Sequence, residues 1–357
     1  MRQIQKKSGS VYADQNAWDI LKKEVLELQP SKVFVLTDGH TQEYCIPWFI
    51  QKSGIENPII LSIPAGEENK TLETCMHVWK QLSQKGADRR SILINLGGGV
   101  VTDLGGFVAC TYQRGIPFFN IPTSLLAMVD ASVGGKNGVD LEHLKNQIGI
   151  IKNPEAVIID IHFLKTLPSE HIRSGQAEMI KHGFIASEQY LKDVFQFDAQ
   201  QEDSVLKLIW ESIEIKDSII TKDPTEKGIR KSLNYGHTLG HAIESYALKY
   251  WNNPLLHGEA IAIGMILACY ISSKQCSFPF EQTEKYSKKI AQIYPTPYIP
   301  EEAIEEIIKL LIFDKKNAYG KVQFVLLNQI GVLQMGCEVP EEIIKEAFNF
   351  YNNNFTE

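Results

Sequence analysis

Ser91-Ile92-Leu93-Ile94-Asn95-Leu96-Gly97-Gly98-Gly99-Val100-Val101-Thr102-Asp103 is the stretch that decides the fold class of this chain. Its first half is a short, almost continuous apolar run, the pattern of a strand buried on both faces of a parallel sheet. Three glycines then turn the chain, and the residues from Val100 onward read as a helix. A glycine-rich turn between strand and helix lets backbone amides approach phosphate oxygens, and the helix N-terminus adds a potential favourable to an anion. The same glycines would also serve a tight turn with close helix packing. The loop departs from the GxGxxG fingerprint and follows the third strand of the pattern, so a standard Rossmann assignment fails in detail.

Outward from this stretch, residues 32–36, 58–63, 118–121 and 156–159 repeat the short apolar run. Residues 41–52 and 72–85 between them carry apolar positions at helical spacing. This alternation predicts an open, mostly parallel sheet with helices on its faces. From Leu167 the strand signal nearly vanishes. Residues 170–185, 202–220, 232–248, 258–273, 282–293, 300–311 and 340–351 read as helices, with residues 321–327 the one strand-like interruption. The expected architecture is an N-terminal α/β domain with a mostly parallel, Rossmann-like sheet over residues 1–162. A mainly α-helical domain over residues 163–357 follows.

The charge balance, 36 basic against 43 acidic residues for a net −7, offers no basic surface for a nucleic-acid backbone. No apolar stretch is long enough to span a bilayer, and the N-terminus lacks the apolar run of a signal peptide. Six scattered cysteines without CxxC spacing read as reduced residues. Cytoplasm is the expected compartment.

Three groups of residues carry chemistry. Around the glycine loop (Gly98, Gly99, Val100, Asp103), Glu67 and Lys70 open a helix after the second strand. Thr123, Ser124, Asp130, Lys136, Lys145 and Asn146 follow in a segment too apolar and glycine-punctuated for an ordinary solvated connection. Glu67 suits a ribose and Lys70 a phosphate, although a capped helix start would use the same residues. Secondly, His237 and His241 lie four apart on one helix face, and His257 opens the next helix. A zinc site takes imidazole and carboxylate ligands, with three from the protein and one position open. Glu178 is the candidate carboxylate, with Lys181 beside it; spacing does not choose which two histidines ligate. Thirdly, Lys216, Glu226, Arg230 and Asn234 precede the histidines, and Arg230 and Asn234 suit a carboxylate or phosphate. Residues 313–317, with Lys315 and Lys316, form a charged run.

The ordered set GEENK at Gly66, GGGVVTDLGGF at Gly97, YQRG at Tyr112, PTSLLAMVDASVGGK at Pro122, KNQIG at Lys145, TLPSEHIRSGQAEMIKHG at Thr166, NYGHTLGHAIE at Asn234, HGEA at His257 and DKK at Asp314 resembles the 3-dehydroquinate synthase family over most of the chain. The resemblance implies a divalent metal, zinc with cobalt as the alternative, held by Glu178, His237 and His257, with His241 free near the substrate. It implies NAD contacts from Asp38, Glu67, Lys70, Gly98, Gly99, Val100, Asp103, Thr123, Ser124, Lys136, Lys145 and the turn Phe163, Leu164, Lys165, Thr166. Substrate contacts would come from Arg114, Asp130, Lys136, Asn146, Lys181, Lys216, Arg230, Asn234, Lys315 and Lys316. His241, Lys136, Lys181, Glu226 and Asn234 form the implied catalytic set. Ser124, Asp140, His171 and His40 depart from the family pattern and bear on NAD contacts.

The implied reaction converts 3-deoxy-D-arabino-heptulosonate 7-phosphate to 3-dehydroquinate and phosphate in the shikimate pathway, towards chorismate and aromatic amino acids. It runs by transient oxidation with NAD, phosphate elimination, re-reduction and intramolecular aldol closure, so NAD is regenerated in each turnover. The expected partner is the sugar phosphate alone, without nucleic acid or membrane, in a homodimer. The nearest competing reading is a valiolone- or inosose-forming cyclase, against which Lys216, Arg230 and Asn234 supply a carboxylate-binding set. A metal-dependent polyol dehydrogenase would instead show net NADH production, and a catalytically inactive scaffold would have no need to retain zinc.

Overall fold

A computed structural model of the protein describes residues 2–14, 16–142, 144–311 and 322–356. The chain divides into two compact units: Met1–Pro168 with Ala199–Ile213, and Ser169–Asp198 with Glu214–Glu357. The first unit therefore runs past residue 162 and takes in a later segment that no shift in composition marks.

The strands of the first unit are Arg2–Ile4 (β1), Ser10–Ala13 (β2), Val33–Asp38 (β3), Ile59–Ile63 (β4), Ile92–Gly97 (β5), Phe118–Pro122 (β6), Lys136–Leu141 (β7), Leu144–Ile151 (β8) and Ala156–Ile159 (β9). Seven of them form one sheet in the order β1-β2-β9-β6-β5-β3-β4. All neighbours are parallel except the edge pair β1 and β2. The apolar run 92–96 becomes β5, in the interior between β3 and β6, and every one of its residues is buried. Phe34, Leu36, Leu93 and Phe118 of the sheet pack with Val101, Leu104 and Val108 of the glycine-loop helix. Burying such a side chain contributes roughly 1.5–3 kcal/mol, which fixes the loop between strand and helix rigidly.

Sheet order explains why the loop matters. The chain passes from β3 outward to β4, then returns across β3 to β5 and continues to β6. The winding direction thus reverses between β3 and β5, whose last residues are Asp38 and Gly97. Open α/β sheets bind ligands outside the strand C-termini at such a reversal.

One expectation for this unit needs correction, and two features were not expected. Residues 41–52 form two helices, Gly39–Tyr44 and Ile46–Ser53, because Pro47 stands in the first turn of the second and cannot continue the first. β1 and β2 were not expected: β1, with three residues, is too short to show a period, and β2, Ser10–Ala13, opens on serine and has one β-branched residue where most of the other runs have more. The hairpin of β7 and β8, antiparallel and outside the main sheet, was also unmarked, since glycines at 138 and 149 interrupt its alternation.

Among the described residues the second unit is helical apart from one hairpin, Phe324–Gln329 (β10) and Val332–Cys337 (β11). Only the first of these strands was anticipated, because β11 has exposed residues and no apolar run. At the centre lies helix His257–Gln275, buried continuously from Gly258 to Ser272, as a helix apolar on all faces must be. The helix expected over 232–248 begins later. Residues Ile229–Asn234 form a 3-10 turn, and Gly236, at φ +75°, breaks the path before helix His237–Tyr250 starts. Among the described residues no helix is long and apolar enough to cross a membrane.

Candidate functional site

In the second unit, helix Ser169–Ala186 carries Glu178, helix His237–Tyr250 begins with His237, and helix His257–Gln275 begins with His257. Their side chains meet. Glu178 Oε1 lies 3.3 Å from His237 Nε2 and 3.4 Å from His257 Nε2. Ligands about 2.0–2.1 Å from a tetrahedral zinc ion stand about 3.3–3.4 Å from one another, so these separations fit a shared ion. The buried Oε1 has no hydrogen-bond partner, although its carboxylate is fully buried. An unsatisfied buried carboxylate oxygen facing two imidazole nitrogens is costly without a cation, which is the physical case for a metal at this vertex.

The electrostatics agree. Burial would raise the Glu178 pKa, but Lys181 and His237 outweigh it and hold the carboxyl well below its usual range. Lys181, one turn along the same helix, donates to the other oxygen, Oε2. Burial lowers the His257 pKa, yet Glu244 and Glu178 overcome it and bring the value to about 9. The vertex therefore favours positive charge.

Close helix packing creates this convergence. Gly258 donates its N–H to Ser174 Oγ at 3.0 Å, and a Cβ at Gly258 would overlap the Ser174 backbone. Ser174 lies one helical turn before Glu178, so the contact sets His257 against that carboxylate. Gly240 performs a similar task on the next helix, where a Cβ would come 2.7 Å from Ile261 Cδ1. Helix His257–Gln275 is started by Glu259, whose Oε2 accepts the Leu256 N–H at 2.9 Å.

His241 belongs to the same cluster. One nitrogen from each of His237, His241 and His257 lies within 4.8 Å of the others, and the His241 ring is centred 5.0 Å from that of His237. Glu178 approaches His237 and His257, while the three histidine nitrogens also lie close enough together to share an ion. Glu244 was missing from the sequence-based set. It stands seven residues after His237, on the same helix face, and its Oε2 lies 3.3 Å from His257 Nδ1.

The other polar residues of this unit occupy one connected stretch. Asp223 accepts backbone N–H groups from Lys227, Gly228 and Arg230, which shapes the loop before the 3-10 turn. Arg230 is buried and donates from Nη1 to the Pro224 carbonyl at 2.8 Å. Asn234 Nδ2 donates to Glu226 Oε1 at 2.9 Å, and Glu226 has a left-handed backbone at φ +59°. Lys216 is buried on helix Glu202–Lys222. Lys315 and Lys316 lie outside the described residues.

The first unit gathers a second polar cluster. Lys70 Nζ reaches Asp103 Oδ2 and Asn146 Oδ1, each at 2.7 Å. Lys145 pairs with Glu67 at 3.2 Å. Asp140, one of the departures from the family pattern, accepts the Asn146 N–H and donates its own to the Lys70 carbonyl. Gly98 precedes helix Gly99–Thr111, with the Ser124 hydroxyl 3.4 Å from where its Cβ would stand. Thr123 donates its N–H to the Gly97 carbonyl. Asp38 ends β3 and caps the following helix through Thr41. Asp130 lies in the turn Ala127–Ala131, and Lys136 begins β7 with an exposed side chain. Arg114 sits in a strained turn at φ +73°. Phe163, Leu164, Lys165 and Thr166 belong to the 3-10 turn Ile161–Thr166, which is capped by Asp160.

Comparison with known structures defines the class. The chain superposes on 2-deoxy-scyllo-inosose synthase, solved with carbaglucose-6-phosphate, NAD+ and Co2+, with a TM-score of 0.82 at 25% identity and 96% coverage of both chains. It also superposes on 2-epi-5-epi-valiolone synthase of Streptomyces hygroscopicus, solved with NAD+ and Zn2+, with a TM-score of 0.83, 22% identity and 98% coverage of both. The fold is that of the sugar-phosphate cyclases. Residues 60–174 match the 3-dehydroquinate synthase N-terminal profile and residues 175–317 the C-terminal one. 3-Dehydroquinate synthase of Parabacteroides distasonis is 40% identical over 92% of this chain and 93% of its own, and that of Thermococcus kodakarensis 39% identical over 92% and 91%. The chain belongs to the 3-dehydroquinate synthase family.

Proposed function

We propose that this chain converts 3-deoxy-D-arabino-heptulosonate 7-phosphate to 3-dehydroquinate and phosphate, as a phosphate-eliminating lyase of the shikimate pathway. The observation that carries the reading, within this family, is the vertex of Glu178 Oε1 with His237 and His257 Nε2. Residues 1–162 are the proposed NAD-binding domain and residues 163–357 the metal and substrate domain. Zinc is the proposed ion, with cobalt as its alternative, in a cytoplasmic homodimer.

When bound, the metal supplies Lewis acidity towards substrate hydroxyls, and NAD accepts and returns a hydride. The chain's own residues do the rest. Glu178, His237 and His257 hold the ion, and Lys181 keeps the Glu178 carboxylate ionised. His241, in the same cluster, is the proposed group that takes and returns the substrate hydroxyl proton. Arg230, Lys216 and Asn234 are the proposed carboxylate-binding set, and Glu226 orients the Asn234 amide. Arg114, Asp130, Asn146 and Lys136 complete the proposed substrate contacts. The cofactor contacts proposed for the first unit are Asp38, Glu67, Lys70, Gly98, Gly99, Val100, Asp103, Thr123, Ser124, Lys136, Lys145 and the turn Phe163 to Thr166. Orientation is a large part of the catalytic problem, since one site serves several steps.

The test is phosphate release from this substrate before and after chelation, with NAD present. Release that continues undiminished after verified metal removal would contradict the metal reading. The likeness to inosose and valiolone synthases supports a second reading, a cyclase acting on a substrate without the carboxylate. A substrate panel separates the two, and net NADH accumulation would instead mark a dehydrogenase.

A further inference from the structure

We propose that Glu244 is a positioning residue of the metal centre: its carboxylate holds His257 Nδ1–H, and so aims Nε2 at the vertex shared with Glu178 and His237. The inference rests on the reading of Glu178, His237 and His257 as metal ligands.

Helix geometry places the residue. His237, His241 and Glu244 stand at i, i+4 and i+7, on one face of helix His237–Tyr250. The rest of that helix buries Leu239, Ala242, Ile243 and Ala247. A carboxylate only 3% exposed in such company is retained at a cost unless it meets a donor or a cation. Glu244 Oε2 lies 3.3 Å from His257 Nδ1. One helix therefore provides His237 directly and steadies a second ligand that belongs to its neighbour.

The two histidines are anchored differently. His237 Nδ1 pairs with the Tyr235 backbone carbonyl at 3.1 Å, an acceptor that no side-chain change removes. His257 depends on a side chain, and its own side chain is 23% exposed against 9% for His237. Packing thus restrains His257 less, and the Glu244 contact must supply more of its orientation. In each ring a proton held on Nδ1 leaves the Nε2 lone pair for an ion, the arrangement by which outer carboxylates and carbonyls orient metal-bound imidazoles.

The experiment measures Co2+ and Zn2+ binding to metal-stripped full-length protein by competition with a chromophoric chelator, without substrate. Glu244→Ala and Glu244→Gln are compared with wild type and with His257→Ala. Outer partners of metal-bound histidines typically account for about 10–100-fold in affinity, so both Glu244 variants are expected to bind at least tenfold more weakly. The visible absorption of bound Co2+ should shift in Glu244→Gln, reporting a turned imidazole. Glutamine fills the same volume and keeps a neutral acceptor oxygen, so Glu244→Gln reports the carboxylate's charge, whereas alanine removes the acceptor altogether. Wild-type affinity and an unshifted Co2+ spectrum in Glu244→Ala would overturn the inference. If His257→Ala itself bound metal as tightly as wild type, the ligand assignment would fail first.

Discussion

Lys70 and Asp103 form an ion pair of 2.7 Å that ties the segment after β4 to the glycine-loop helix, with side chains 4% and 17% exposed. Burial lowers the Lys70 pKa, but Asp103, Glu67 and Asp140 outweigh it and raise the value above its usual 10.5. A raised lysine gives its full stabilisation below the unfolded value, while burial outweighs Lys70 and raises the Asp103 carboxyl above its usual range, so the acid partner is the one that limits the pair as pH falls. Removing one partner of a buried pair typically costs about 3–5 kcal/mol, because the other charge is left uncompensated. Lys70→Ala should therefore lower stability by that order, read as the urea midpoint of the metal- and cofactor-free protein. A midpoint within error of wild type would show that the pair is structurally idle and that Lys70 serves ligand binding alone.

His241 and the proposed ligands should separate in a metal-content assay. Glu178→Gln, His237→Ala and His257→Ala are expected to lose the ion during purification. His241→Asn should retain it, with kcat reduced about 10²–10⁴-fold, the usual share of a positioned acid–base group. Elemental analysis of dialysed protein beside the phosphate-release rate checks both halves. Loss of metal from His241→Asn would move that residue into the coordination set.

Gly258 lets helix His257–Gln275 touch the Ser174 backbone, and a methyl group there has no flexible neighbour to displace. Gly258→Ala should push His257 away from Glu178. Overpacking of this kind costs about 1–3 kcal/mol. The expected result is a lower thermal midpoint together with weaker metal retention, and Ser174→Ala should show a milder form of both. Unchanged metal retention in Gly258→Ala would mean that the helix N-terminus adjusts freely.

Arg230 is buried and fixed through Nη1 to the Pro224 carbonyl, while Asn234 is held by Glu226. Lysine keeps the charge but not the planar fork that matches a carboxylate. Arg230→Lys should raise KM for the carboxylated substrate at least tenfold and leave metal content unchanged. An unchanged KM would remove Arg230 from the carboxylate-binding set and favour a substrate lacking that group.

How far the sequence could be read depended on the kind of signal each residue carries. The run 92–96 and its glycines revealed β5 and the loop because a strand buried on both faces is apolar throughout. The hairpin β7–β8 escaped because glycines interrupt its period, although it carries Lys145 and Asn146. Spacing put His237 and His241 on one face but could not choose between them. That choice needs Glu178, which lies 59 residues before His237 and reaches it only through helix packing. Glu244 was within reach of the same helical periodicity. Periodicity gives its face but not its burial, since a glutamate in a helix ordinarily reads as solvated, whereas this one is buried.

Trp48 and His162 provide a final handle, in the first unit. Their rings stack with centroids 3.6 Å apart and planes 7° from parallel. The Trp48 indole donates to Asp160 Oδ2 at 2.8 Å, as does that of Trp18, so both rings report on the residue that caps the turn Ile161–Thr166. Burial lowers the His162 pKa below 6.5; Lys165 and Lys52 act in the same direction, while Asp160 and Glu202 oppose them. A depressed histidine makes the unfolded chain bind a proton that the folded one refuses, so stability declines as pH falls from 6.5 through the folded value and is unaffected above 6.5. Protonation of the stacked imidazole should quench Trp48, giving an emission titration with its midpoint below 6.5. Trp48→Phe should remove that titration, and His162→Gln should flatten it while leaving the tryptophan signal. A midpoint at or above 6.5 would mean that Asp160 and Glu202 outweigh burial around this turn.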